Sequence, residues 1–557
     1  MKLIECVPNF SDGRNPEVIE AITAEIRNTE GAVLLDVDPG AATNRTVVTM
    51  IGTPEAVEEA AFRAIRKASE LIDMSGHTGE HPRMGATDVC PFVPVQGATM
   101  EDCVEVARKL GKRVGEELGI PVYLYENAAS RPERNSLADV RQGEYEALPA
   151  KLKKAEFKPD FGPAEFNARA GATAIGAREF LIAYNINLNT RDKGLAKKIA
   201  LEIREKGKLK RDGGGKIVKD DNGKRMWVPG RFKNVRGVGW YIEEFGRAQL
   251  SFNLTNYKVS PVHEVFDACR EEAARLGLRV TGSELVGLIP LDAALAAGDH
   301  YLKLQGKTTG VSVKERIHTA ALSLGLDEIS AFEPDEKIVE FKYSGASGGL
   351  KSMTLTDFAD ELASDSPAPG GGSIAALCGS LSAGLSAMVA GLTWSKKGME
   401  AARPAMEEVG CQGQNLKDWF MDAVDRDTDA FNQVLAAMRL PRSTDADKEA
   451  RTAAIEAANQ YATQVPLDVL ERSALAAELA LGVARDGNPN SVSDAGVAGA
   501  CALAAAEGAA MNVLINAPSL TDRAVADRML ARQAELLAKT QKTAAEVRKV
   551  VYGKLAG

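Results

Sequence analysis

A chain of 557 residues is too long for one hydrophobic core and predicts several domains. With 45% hydrophobic and 26% charged residues it is composed like a globular protein, and a formal charge of −9 argues against general binding of nucleic acid. No apolar run reads as a membrane span, residues 1–6 lack a signal peptide's apolar core, and the seven scattered cysteines form no CxxC pair. A cytoplasmic protein with reduced thiols and no membrane partner is expected.

The first 330 residues read as two similar halves. Strands are predicted over 3–8, 32–37 and 45–51 and helices over 16–27 and 54–72, giving the order β-α-β-β-α. The second half repeats it, with strands over 180–187, 238–244 and 248–254 and helices over 193–205 and 261–276. That order predicts two α+β, ferredoxin-like subdomains, residues 1–178 and 179–330, with a ligand cleft between sheets. Within the second half, residues 206–236 are basic, and Asn222-Gly223 predicts the turn of an excursion hairpin. It reads either as a solvated surface insertion or as a strip that meets a polyanion.

Between the first helix pair and an apolar strand lies His77-Thr-Gly-Glu80-His81-Pro-Arg83-Met-Gly-Ala-Thr-Asp88, holding two of the five histidines. His77-x-x-Glu80-His81 fits the inverted zinc-peptidase pattern, which needs both histidines on one helical face. Gly79 and Pro82 argue against such a helix. Acid–base catalysis is the stronger reading, because an imidazole titrates near neutrality and a carboxylate can orient it. A purely structural loop stays open.

Composition shifts near residue 350, where small polar residues suggest a linker over 331–353, followed by an all-α helical domain over 354–557. Ser366-Pro-Ala-Pro-Gly370-Gly-Gly-Ser373 feeds a small-residue helix, either as an anion-holding N-terminus or as a flexible entry to a close helix crossing. The helix predicted over 416–440 carries Asp418, Asp422, Asp425 and Asp429 along one polar stripe. Asp427 is out of step and falls with Phe420, Val424, Phe431 and Val434 on the apolar face. A carboxylate there must be paired, hydrogen-bonded or protonated, and a raised pKa suits proton transfer.

Spaced blocks carry a family resemblance. Glu5-Cys-Val-Pro-Asn-Phe-Ser11, Leu34-Leu-Asp-Val-Asp38, Thr43-Asn-Arg-Thr46, Gly79-Glu-His-Pro-Arg-Met-Gly85, Gly143-Glu-Tyr-Glu-Ala147, Gly237-Val-Gly-Trp-Tyr241 and Gly282-Ser-Glu-Leu-Val-Gly-Leu-Ile-Pro290 are similar to glutamate formiminotransferase. The remainder resembles the cyclodeaminase half of the fused formiminotransferase–cyclodeaminase. The resemblance implies transfer of the formimino group from N-formimino-L-glutamate to N5 of tetrahydrofolate, late in histidine degradation. Cyclisation to 5,10-methenyltetrahydrofolate with release of ammonia then follows.

By the same resemblance His81 and Asp427 match the two catalytic residues. The loop Gly162-Pro163-Ala164-Glu165-Phe166-Asn167-Ala168-Arg169-Ala170-Gly171 matches the folate-binding loop, with Phe166 suited to stacking and Arg169 to a carboxylate. Asp38, before Pro39-Gly40, is a candidate for orienting His81 or stabilising charge, or else opens a turn. Glu80 and Arg83 assist or fasten the loop, and His77 is read as structural. Ser493, Asp494 and Asn512 are weaker candidates for folate contacts. Tetrahydrofolate, polyglutamylated, is the implied co-substrate, without a metal, in a homo-oligomeric ring. A formyl donor, or a ring-forming scaffold with relic sites, remains the alternative.

Overall fold

The computed structural model describes residues 2–41, 43–79, 82–344, 349–366 and 368–556. The chain divides into two compact units, Met1–Ala297 with Ala321–Ala346 and Gly298–Ala320 with Ser347–Gly557. Residues 298–320, which composition alone leaves with the first region, thus group with the helical one.

The first unit opens with β1 (Ile4–Cys6), β2 (Asn9–Phe10), α1 (Pro16–Arg27), β3 (Ala32–Gly40), β4 (Arg45–Gly52) and α2 (Pro54–Leu71). There follow β5 (Thr87–Pro94), α3 (Met100–Glu117), β6 (Val122–Glu126), α4 (Leu137–Val140), α5 (Glu144–Lys151) and β7 (Thr173–Ala177). Helix starts are set locally. Asn15 and Thr53 accept hydrogen bonds from the first-turn N–H groups of α1 and α2, and Thr99 forms a reciprocal capping box with Asp102 at α3. Each such cap is worth about 1 kcal/mol.

These strands make one mixed sheet. β4 lies between β3 and the β1/β2 pair, which continues through β5 to the parallel β7 and β6. Strand alternation divides the sheet's residues between two faces. Ile4, Cys6, Val48, Met50, Cys90 and Phe92 enter the core with α1, α2 and α3. Their neighbours Glu5, Val47, Thr49, Val89 and Pro91 face the other way and line cavities.

The second half runs β8 (Ile182–Leu188), α6 (Lys193–Ile203), β9 (Lys208–Leu209), β10 (Trp227–Val228), β11 (Val235–Ile242), β12 (Arg247–Leu254), α7 (Val262–Arg275) and β13 (Val280–Val286). Its main sheet is antiparallel in the order β11-β12-β8-β13, with α6 and α7 packed on it. Residues 208–228 form the expected excursion. β9 pairs with β10, and Gly223 takes φ +76° in a turn closed by Asp220. α8 (Leu291–Leu304), α9 (Val313–Leu324), α10 (Pro334–Lys337) and α11 (Val339–Ser344) follow.

The second unit is helical: α12 (Leu355–Leu362), α13 (Gly371–Trp394), α14 (Arg403–Met438), α15 (Asp445–Asp486), α16 (Val492–Asn516) and α17 (Arg523–Leu555). α14 begins well before the stretch expected from the aspartates, with a proline in its first turn. One expectation is corrected. Gly371–Trp394 and Pro489–Ser519 are long and apolar enough to cross a membrane, with mean hydropathy 1.7 and 1.5. Their apolar Leu, Ile, Val, Met and Ala residues are interrupted by Gly and Ser, so no unbroken aliphatic run forms. Packing explains it, since α13 and α16 lie against each other and against their neighbours, and 56% and 44% of the two windows are buried.

Candidate active sites

In the first unit the loop before β5 is tied down on all sides. Arg83 Nε donates to His77 Nδ1 at 3.1 Å, so the ring carries its proton on Nε2, which donates to the Asn44 carbonyl at 3.0 Å. Both nitrogens are then occupied and none is left for a metal. The rest of the Arg83 guanidinium forks onto Glu146, at 2.6 and 3.0 Å, and reaches Glu144 at 3.2 Å. Arg83 therefore fastens the loop to α5. Glu80 and His81 lie outside the described residues.

Below the loop, Asp88 at the start of β5 is fully buried and pairs with Arg45 of β4 and with Arg141, which follows α4. Its second oxygen accepts the Met84 N–H at 3.0 Å. Both guanidinium groups border a cleft of about 640 Å³, shared with Arg178, Arg236, Glu126 and the asparagines Asn9, Asn127, Asn234 and Asn256. Burial raises the Glu126 carboxyl pKa, against the pull of Arg178 and Arg236. The cleft is rich in cations and amide donors, a surface suited to carboxylates.

Asn9, Arg178 and Leu181 also border a second cavity of about 570 Å³, and Asp38 lies here. It does not end a strand. It sits inside β3, opposite Val47, on the same face as Asp36 and Thr49. Glu5, Lys337 and Lys342 line the same space.

The loop Gly162–Gly171 lines neither cavity; it buttresses the histidine loop from behind. The Ala170 carbonyl accepts from Ala86 N–H at 2.9 Å, and Met84 accepts from Ala172 N–H at 3.1 Å. Gly171 has φ +68°, and a Cβ there would come within 2.2 Å of the Met84 carbonyl oxygen. The exposed Phe166 ring packs on Tyr145 at 5.4 Å, and Asn167 Oδ1 accepts the Ala170 N–H. Arg169 is exposed, and one nitrogen of its guanidinium donates to the Glu70 carbonyl.

In the second unit Asp427 sits where α14 crosses the N-terminus of α13. Ser373 Oγ lies 3.3 Å from Asp427 Oδ2 and 3.1 Å from the Val424 carbonyl, and the Ser373 N–H also reaches the carboxylate. Gly372 makes the approach possible, because a Cβ there would fall 2.1 Å from Oδ1. Burial pushes the Asp427 carboxyl up, with the two Ser373 donors pulling the other way. Of the companions expected beside it, Phe420 and Val424 are buried, whereas Phe431 is 43% exposed. Asp427 itself is half-buried, so it lies at the margin of the core between Val424 and the exposed Phe431.

Asn512 of α16 lies across the same N-terminus, its Nδ2 3.8 Å from where a Gly371 Cβ would stand, and donates to the Gly508 carbonyl. Ser493 and Asp494 occupy the opposite end of α16, about 27 Å away along its axis. Asp422 and Asp425 of the polar stripe hold the segment before α12, through Lys351 Nζ at 2.7 Å and Lys351 N–H at 3.3 Å. Among the described residues no group of three or more His, Cys, Asp or Glu side chains is arranged to hold a metal.

Comparison with known proteins covers nearly the whole chain. Residues 3–178 match the family described as formiminotransferase domain, N-terminal subdomain; residues 183–344 match the formiminotransferase domain; residues 354–535 match formiminotransferase-cyclodeaminase. The formimidoyltransferase-cyclodeaminase of Mus musculus is 44% identical over 544 residues, 97% of both chains. A glutamate formimidoyltransferase of Thermoplasma acidophilum is 44% identical over 323 residues, 58% of this chain and 99% of that one. A methenyltetrahydrofolate cyclohydrolase of Methylorubrum extorquens is 40% identical over 185 residues, 33% of this chain and 89% of its own.

Two stability outcomes follow from the geometry. Asp88→Asn strands two buried guanidinium groups against each other and should cost about 3–5 kcal/mol in denaturant unfolding of the first unit. For Asp427 the folded state raises the pKa, so the native protein holds the proton more tightly than the unfolded chain. Stability falls as pH rises from the ordinary carboxylate range through the raised value, and the penalty is complete above it. Asp427→Asn should raise the melting temperature of the second unit at neutral pH in calorimetry and leave it unchanged well below the carboxylate range.

Proposed function

Because the chain belongs to the formiminotransferase-cyclodeaminase family, we propose that it moves a formimino group from N-formimino-L-glutamate to N5 of tetrahydrofolate and then closes 5-formiminotetrahydrofolate to 5,10-methenyltetrahydrofolate, releasing ammonia. The observation that carries this reading is Asp427: a half-buried carboxylate at the edge of the helical core, held by the Ser373 hydroxyl at the α13 N-terminus, with burial raising its proton affinity.

In the transfer, N5 attacks the amidine carbon, and His81 takes the N5 proton as the bond forms. Asp38 faces the cavity and stabilises positive charge on the amidine nitrogens of the tetrahedral intermediate. The proton then goes to the departing glutamate nitrogen as its C–N bond breaks. Carboxylates of donor and folate are matched by the Arg45, Arg141, Arg178 and Arg236 side of the cleft. The Gly162–Gly171 loop, which the resemblance gives to folate, lies outside both cavities, and its exposed Phe166 ring offers a stacking face for the part of folate that extends beyond them.

In the cyclisation, N10 attacks the carbon of the protonated formimino group, an amidinium, and gives its proton to Asp427. The same carboxyl returns a proton to the exocyclic nitrogen, which leaves as ammonia while the N5–C–N10 cation remains. Charge and protons balance, and neither step needs a metal. Asn512, beside the same helix start, is placed for a folate contact.

With β1 and β2 counted as one strand, β3-β4-β1/β2-β5 in the first sheet matches β11-β12-β8-β13 in the second, an order that supports the ferredoxin-like reading, although the first sheet is extended by β7 and β6. Exposed apolar side chains on α13 and α16, among them Leu381, Leu392, Met511 and Ile515, support a homo-oligomer, and the free cysteine thiols suit a reducing, cytoplasmic setting. Lys210, Lys216, Lys219, Lys224 and Arg225 lie on the exposed excursion, suited to the acidic tail of a polyglutamylated folate.

The assignment is tested by assaying the two half-reactions separately, following ammonia release and methenyl absorbance. His81→Ala should lower transfer by about 100-fold or more and spare cyclisation of supplied 5-formiminotetrahydrofolate, with Asp427→Asn doing the converse. Loss of both activities in either folded variant would contradict two separate sites. Replacing the five basic residues of the excursion with Ser should raise KM for polyglutamylated folate and leave KM for the monoglutamate unchanged. Equal KM values for the two forms in the wild-type chain would remove the tether.

A further inference from the structure

The cleft-facing side of the first sheet carries a carboxylate that the two half-reactions leave without a role. Glu5 is the middle residue of β1. Ile4 and Cys6 enter the core, and alternation turns Glu5, paired with Ile51 of β4 and Val93 of β5, to the opposite face, the one that Thr49 of β4 and Asp36 of β3 share on the 570 Å³ cavity. It is 3% exposed. Among the described residues its carboxylate accepts no hydrogen bond; Arg178 acts on it only through space and Glu340 of α11 opposes it. Burial pushes its carboxyl up to about 7. A buried acceptor without a donor costs stability, and such a group persists where a bound molecule supplies the donors.

The chemistry of that donor can be read from the group. A carboxylate offers two coplanar acceptors, the complement of two parallel N–H groups on one trigonal carbon. Both substrates of the proposed transfer carry such an edge: the formimino donor in its amidine, and the folate in its 2-amino-pyrimidinone ring. The two cavities divide accordingly. The 640 Å³ side gathers Arg45, Arg141 and Arg236 and suits carboxylates, whereas Glu5, Asp36 and Asp38 gather on the other side. Arg178 borders both and marks the boundary.

We propose that Glu5 is a substrate-binding carboxylate that takes a planar N–C–N edge of one transferase substrate through two parallel hydrogen bonds. The proposal rests on the transferase reading above. The edge and the cavity wall together would then fix which face of the substrate meets the reacting centre.

The test uses the full-length chain and its Glu5→Gln variant, which keeps the shape and turns one acceptor into a donor. Folic acid and N-formimino-L-glutamate are titrated separately by calorimetry, so binding is read without turnover. One of the two should bind about 10- to 100-fold more weakly to the variant: folic acid if the edge is the pterin's, the amidine donor if it is the formimino group's. Unchanged affinity for both overturns the proposal. Without ligand, the variant should melt no lower than the wild type, because an unpaired buried carboxyl has been removed; a clear drop would mark Glu5 as structural and also overturn it.

Should Glu5→Gln not fold, the wild-type pH profile decides. Affinity for the responding ligand should fall as pH drops through about 7, as protonation removes one acceptor. The groups facing Glu5 are Asp36 and Asp38 of β3, Arg178, Glu336 and Lys337 of α10, and Glu340 and Lys342 of α11. A flat profile for both ligands overturns the proposal. Transfer activity of the wild type is measured alongside. If it is absent, the transferase reading fails; if it is present with Glu5→Gln binding normally, only the Glu5 proposal fails.

Discussion

Asp88 has one charge and two guanidinium groups to satisfy, and much of the first unit is arranged around that shortage. Its oxygens hold Arg45 from β4, Arg141 from behind α4, and the Met84 N–H of the histidine loop, all in a place closed to water. Taking these charges out of solvent is costly, and only dense hydrogen bonding offsets it. The surplus positive charge is left at the cleft wall, where Arg178 and Arg236 add to it. A structural ion cluster thus sets the electrostatic sign of the cavity wall and holds the Met84 end of the histidine loop.

The second unit faces the opposite problem. Its carboxylate has donors too few rather than cations too many. The Ser373 hydroxyl and N–H hold Asp427, and burial still outweighs them. The same imbalance recurs at Glu5 in the first unit, where among the described residues the buried carboxylate accepts no hydrogen bond. In both places a side chain is kept from its preferred ionised, solvated state by the scaffold, and the scaffold's stability bears the difference. Sites of proton transfer and of substrate capture are where such strain is expected.

How much of this could be read from residues alone depended on range. Asp427 was legible because helical periodicity is local: one aspartate out of step with four others needs no knowledge of neighbours. Which flank of α14 is covered was not, and Phe431 proved exposed because its burial depends on the packing of other helices. The β-α-β-β-α order was legible from alternation and caps, with strand ends shifted by a few residues. Asp88, Arg45 and Arg141 are separated by 43 and 53 positions, so their convergence is a property of the sheet and not of any stretch. Glu5 had even less to offer, for a strand of three residues gives almost no alternation to read. The small-residue helices were judged by the absence of long aliphatic runs, although Leu, Ile, Val and Ala dispersed among Gly and Ser sustain a high mean hydropathy.

The contact between Asp427 and Gly372 has a genetic consequence. The carboxylate already occupies the volume that any side chain at 372 would need, and it does so against a helix start that cannot retreat without unravelling its first turn. Every missense change of a glycine codon adds at least a Cβ. Drift at this position is therefore closed by volume before chemistry is consulted, and an allele that reopens it would need a second change on α14 to make room. A glycine with no functional group of its own becomes as restricted as the aspartate it shelters.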